Sequence, residues 1–112
     1  MHYSLLFYLS PEDFATRSDP DSPFTAAFLP YLRLKDAGML VARAGLQRPD
    51  SATTLRHEGG KHLAQDGPYA EAKEQLAGIF LIDVPDLDTA PEWAARYPGN
   101  VVEVRPNILP VE

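Results

Sequence analysis

Residues 76–84 read LAGIFLIDV, with Phe80, Ile82 and Val84 on one side of the alternation and Ile79 and Leu81 on the other. Both sides are apolar, so this segment is predicted to be a strand buried on two faces. Upstream, residues 2–9 (HYSLLFYL) repeat the pattern. Tyr3, Leu5, Phe7 and Leu9 share one face, while His2, Ser4, Leu6 and Tyr8 share the other. Downstream, Asp88 is the predicted N-cap of a helix, and Pro91 falls in the first turn, where backbone donors have no intrahelical partner to lose. Trp93, Ala94 and Tyr97 form the inward stripe of this helix. Pro98-Gly99 stops it before a last strand at residues 101–105.

The chain between these strands is punctuated by Pro, Gly, Ser and Asp. Residues 10–21 (SPEDFATRSDPD) read as a loop, and Ser22-Pro23 as the cap and first position of another helix. Phe24, Ala27, Phe28 and Tyr31 follow its i, i+3, i+4, i+7 stripe, and Gly38 marks its end. Pro30 deletes a donor within it and presses on the carbonyl of Ala26, which predicts a kink or break around Leu29. Residues 39–47 (MLVARAGLQ) read as a strand ending at a turn over Pro49, Asp50 and Ser51. Residues 53–58 and 61–65 flank Gly59-Gly60 as a β-hairpin with a primed turn. Asp66-Gly67-Pro68 closes it, and residues 70–75 (AEAKEQ) suit one helical turn or a loop.

The resulting order is β-α-β, hairpin, β-α-β. It predicts an α+β fold: a ferredoxin-like antiparallel sheet with two helices on one face and a β-hairpin insertion, forming one domain over residues 1–112. The helix-free face then exposes large side chains, and a symmetric copy is the simplest cover for such a patch. A homodimer is therefore expected, with a cleft able to take a small-molecule ligand.

The 112 residues suffice for one core, with hydrophobic residues at 45%. Ten basic against 16 acidic residues leave a net charge of −6, which repels phosphate backbones and anionic membrane surfaces. Neither direct nucleic-acid binding nor membrane association is expected. The absence of cysteine excludes disulfides, thiolate metal sites and a Cys nucleophile. The apolar run over residues 5–9 is too short for a leader or a membrane span, and a cytoplasmic location is expected.

Candidate site residues gather after the hairpin. Asp66 is either the acceptor of an Asx-type turn or a general base at the rim of a cleft. Lys73 between Glu71 and Glu74 is either part of a solvated ion-pair cluster or a cation for a polar or anionic ligand, with Tyr69 beside it. His57 and His62 flank the Gly59-Gly60 turn and should face each other about 5 Å apart. A third ligand is missing, and neither Glu58 nor Lys61 shares their face, so no metal is expected. His2 has no partner in sequence. No G-x-S-x-G context surrounds any serine, and no Gly-rich phosphate loop is present.

The run from Asp66-Gly67-Pro68-Tyr69-Ala70-Glu71-Ala72-Lys73-Glu74-Gln75-Leu76-Ala77-Gly78 through Phe80-Leu81-Ile82-Asp83-Val84-Pro85-Asp86-Leu87-Asp88 to Glu92-Trp93-Ala94-Ala95 resembles the YCII-related, DGPF-type domain family. The closing Val102-Glu103-Val104-Arg105-Pro106 is similar to that family as well. The resemblance implies a dimeric α+β barrel of ferredoxin-like topology. With the residue reading above, it suggests a small-molecule-binding protein of this family, in its stronger form a cofactor-independent enzyme using Asp66 and Lys73, with Tyr69, Glu71 and Glu74 at the ligand. The alternative it implies is a non-catalytic regulatory or interaction module linked to transcription through sigma-factor association. Tyr69 stands where the family has Phe, Ala72 where it has Thr, and Pro91 where it has an aliphatic residue. The first helix carries no His, so the His and Asp pair of other YCII-like proteins has no counterpart there.

Overall fold

A computed structural model describes residues 1–108. Its centre is β1 (His2–Leu9), flanked by β5 (Gln75–Asp83) on one side and β6 (Val101–Pro106) on the other. β2 (Leu40–Gly45) adds to the outer edge of β5, so the sheet order is β2-β5-β1-β6 with every pair antiparallel. This is the ferredoxin-like α+β topology the element order predicts. Alternation sets the core: Tyr3, Leu5, Phe7 and Leu9 of β1 are buried with Phe80 and Ile82 of β5. The residues between them, Leu6, Tyr8, Ile79 and Leu81, are half-buried on the opposite face.

The helical layer is more fragmented than the sequence reading. Residues 10–21 are not all loop, because α1 (Pro11–Thr16) occupies the middle of that stretch. Ser10 caps it by accepting from the Asp13 amide, Pro11 takes the first turn, and Phe14 alone anchors it in the core. Ser22 caps α2 (Pro23–Phe28) in the same way through Thr25. The break expected from Pro30 falls at Leu29, where the chain tightens into a 3-10 turn over Leu29–Leu32 before α3 (Arg33–Asp36). Phe24, Phe28 and Tyr31 pack into the core or against it, but Ala27, expected on the same stripe, is exposed.

α4 (Thr89–Ala94) buries Ala90, Trp93 and Ala94, and Tyr97 follows as a buried residue beyond its end. Its cap corrects the sequence reading. Asp88 has helical backbone angles and makes no side-chain cap, whereas Asp86 Oδ1 accepts from the Asp88 amide and from both the amide and the hydroxyl of Thr89. The Tyr31 hydroxyl donates to the Trp93 and Ala94 carbonyls, fastening the 3-10 turn to the end of α4. Residues 70–75 form no helix, and Gln75 already begins β5.

The hairpin stands apart as a second sheet of β3 (Thr53–Glu58) and β4 (Lys61–Asp66). Gly59 and Gly60 adopt φ of 54° and 78°, the positive values a tight hairpin turn requires. The register pairs His57 with His62 and Glu58 with Lys61, as the turn length predicts.

Candidate functional site

A cavity on the helix-facing side of the sheet follows from two glycines. Gly45 at the end of β2 pairs directly with Gly78 of β5, and that pair belongs to the helix-facing side of the sheet, with Gly78 opposite Phe7 and two residues before Phe80. No side chain rises there, and the helical layer does not fill the gap. The result is a cavity of about 420 Å³ walled by Phe7, Phe24, Phe28, Phe80 and Tyr97. Gly78 is also needed for close packing, because a Cβ on it would lie 3.1 Å from the Ala44 carbonyl oxygen. Gly45 differs: a Cβ there would meet nothing within 4 Å.

The walls are aromatic rings in mutual contact. The Phe7 ring meets Phe80 edge-on at 5.0 Å and Tyr97 at 4.6 Å, and Phe24 stacks on Phe28 at 5.9 Å. The Tyr97 hydroxyl donates to the Tyr8 carbonyl at 2.9 Å, beside the register shift at Phe7/Tyr8. Burial pushes the Tyr97 phenol well above its ordinary range, with the Asp13 and Glu74 carboxylates adding to the effect.

The mouth carries Arg17, Ser18 and Arg43, and among the described residues no carboxylate lines the cavity. The Arg17 guanidinium, half-buried at the end of α1, donates to the carbonyls of Ala77 and Leu46. Desolvation pulls its pKa below the usual arginine value, although arginine keeps its charge throughout. Arg43 sits on β2 opposite Phe80. Among the described residues, neither Arg17 nor Arg43 forms an ion pair with a carboxylate.

The residues singled out from sequence lie outside this cavity. Asp66 is the exposed last residue of β4 and pairs with Thr53. The turn after it is held by the Gly67 amide donating to Ala52 O and by the Thr54 hydroxyl donating to Gly67 O, without the Asp66 carboxylate. The Tyr69 ring is exposed beneath the Arg56 guanidinium at 5.3 Å, and Glu71 is exposed. Lys73 lines a smaller hollow of about 220 Å³ together with Arg48, Asp50 and Phe14, and Leu9 borders both that hollow and the aromatic cavity.

Glu74 turns elsewhere. Its Oε1 accepts from Asn100 Nδ2 at 3.5 Å, while Oε2 is buried and, among the described residues, has no hydrogen-bond partner. Among the described residues, no hydrogen bond or ion pair joins Asp66, Lys73 and Glu74 to one another. The His57 and His62 rings face each other with centroids 4.2 Å apart on the exposed hairpin. Arg17, Arg43 and the Gly45/Gly78 pair escaped the sequence reading. The available signal was a glycine inside each of two strand patterns, a common mark of close backbone approach.

This geometry defines a class: a small ferredoxin-like α+β domain with an apolar cavity between its sheet and its helices. A family model described as YCII-related domain matches residues 1–106, and the chain belongs to that family. The chain is also similar to an uncharacterized protein of Rhizobium meliloti (strain 1021), 48% identical over 79 residues. That match covers 66% of this chain and 64% of the relative, so the chain spans somewhat under two thirds of that protein's length. Among the described residues, no helix is long and apolar enough to cross a membrane.

Proposed function

We propose that the protein binds a small molecule in the aromatic cavity and works as a cytoplasmic homodimer. The observation that carries the binding reading is the paired absence of side chains at Gly45 and Gly78, which leaves about 420 Å³ open between aromatic walls. Well-packed cores leave few voids larger than a water molecule, and ligand sites are commonly apolar clefts of this size. The dimer reading is supported by the helix-free face, where Leu6 pairs with Ile79 and Leu81 lies beside them, all half-buried and without a helical layer.

Catalysis without a cofactor, using Asp66 and Lys73, is the stronger form of the same proposal. Lys73 supports it by its place in the hollow that shares Leu9 with the cavity. In that form Tyr69, Glu71 and Glu74 would contact the ligand from outside the hollow, since none of them lines it. The alternative of a regulatory module is favoured by one feature, the β3–β4 hairpin, which is exposed on both faces and free to meet a partner.

The binding reading is tested by NMR titration with indole, a neutral aromatic probe, on the full chain. Amide shifts centred on Gly45, Ala77 and Gly78 are expected, and Gly45→Leu should abolish them with the rest of the spectrum intact. Shifts centred elsewhere, or indole binding indifferent to Gly45→Leu, would overturn it.

A further inference from the structure

We propose that the cavity is selective for a small aromatic carboxylate, with the ring among Phe7, Phe28 and Phe80 and the carboxylate at Arg43 and Arg17. The inference rests on the cavity being a ligand site and adds the chemistry of the ligand. Its first ground is charge distribution. The chain holds 16 acidic against 10 basic residues, yet among the described residues the cavity is lined by two arginines and no acid. A random draw from this surface would have favoured carboxylates.

The second ground is the state of Arg17. Arg17 is half-buried, with its guanidinium 5.0 Å over the Phe14 ring, and among the described residues its hydrogen bonds reach neutral carbonyls, on Ala77 and Leu46, while no carboxylate pairs with it. Those two bonds tie α1 to the start of β5 and to the residue after β2, so Arg17 is fixed as part of the wall. Arg43 is different. Its backbone is in an edge strand, its side chain is exposed, and among the described residues it makes no hydrogen bond or ion pair. It is free to close on an anion, and the planar guanidinium fork matches a carboxylate in two parallel hydrogen bonds. An anion at the cavity would meet positive charge from both arginines that line it.

The third ground selects the ring. The cavity walls are edge-to-face and stacked aromatics, which suit a flat, rigid group better than a flexible chain. About 420 Å³ accommodates one or two fused rings.

Isothermal titration calorimetry with 2-naphthoate, 2-naphthamide and octanoate on the full chain tests the assignment. We expect 2-naphthoate to bind at least about tenfold more tightly than either comparison compound. Arg43→Gln should remove that advantage without altering 2-naphthamide binding, Arg43→Lys should restore part of it, and Gly45→Leu should eliminate binding of all three. Equal affinity for 2-naphthoate and 2-naphthamide, both lost in Gly45→Leu, overturns the anion assignment while leaving the cavity reading standing. Octanoate binding as tightly as 2-naphthoate overturns the aromatic assignment. Binding of all three that survives Gly45→Leu places the site elsewhere and overturns both this inference and the reading beneath it.

Discussion

Every residue of β4 is exposed, whereas Tyr3, Leu5, Phe7 and Leu9 of β1 are buried in strict alternation. The hairpin and the four-stranded body are nevertheless both antiparallel and both regular in register. They differ in what holds them. The hairpin is specified by its Gly59-Gly60 turn and its ladder, and it lacks a core of its own; two strands alone are marginal in water. The body owes its order to side chains that meet across long sequence separations, such as Tyr31 with the end of α4 and Phe7 with Tyr97. Local turn chemistry can therefore set a shape, but only tertiary burial makes it resistant to change.

The largest effect expected from this contrast is on stability. Leu5, fully buried at the centre of the sheet, should cost about 2–5 kcal/mol when changed to Ala, from lost transfer energy and the cavity left behind. Leu63→Ala in the exposed hairpin should stay within about 0.5 kcal/mol. Urea denaturation of the two variants checks the difference, and a comparable loss at Leu63 would mean that the hairpin is buried against something.

A second effect concerns the uncovered side of the body. Leu81→Asp places a charge on the helix-free face without touching the core below it, and it is expected to convert a dimer into a folded monomer in sedimentation at low micromolar concentration. A wild-type chain already monomeric and folded there would break the dimer proposal. A dimer that tolerates Leu81→Asp would move the interface away from this face, with the exposed hairpin the next surface to examine.

The smallest effect lies at the cap of α4. Hydrogen bonds from the Thr89 hydroxyl, then from the Thr89 and Asp88 amides, hold the Asp86 carboxyl below the ordinary range. A carboxyl depressed in the folded state stabilises the fold above its unfolded pKa, and that stabilisation is lost as pH falls through the folded value. Asp86→Ala should thus lower Tm slightly at neutral pH and flatten the decline in Tm on the acid side. The hairpin's Arg56–Glu58 pair, exposed at 3.9 Å, should contribute nothing measurable, so Glu58→Ala should leave Tm unchanged. Differential scanning fluorimetry across pH separates the two.

Much of the body was legible because its signals are local and periodic. Alternation located β1 and β5, Ser22-Pro23 located the start of α2, and Pro30 located its break. α1 was missed because a six-residue helix with a single apolar anchor, Phe14, gives no stripe to read. The Asp86 cap was missed for a related reason: two acidic residues stand close together before Thr89, and only the backbone angles decide which of them turns back on the helix. Asp66 and Lys73 were named for their residue types and proximity in sequence, which carry no information about the direction a side chain takes once the strand and loop are placed.

By itself, then, the sequence determined the order of the strands and of the two helical regions between them, the ferredoxin-like arrangement, the hairpin with its register, and an acidic net charge. Those properties depend on period, turn residues and composition, all readable along the chain. The tertiary structure alone decided that Gly45 would face Gly78, that the gap between them would be ringed by aromatics from β1, α2, β5 and the segment after α4, and that Arg17 and Arg43 would share its mouth. A cavity is a space where separate segments fail to fill one another, so no single segment encodes it.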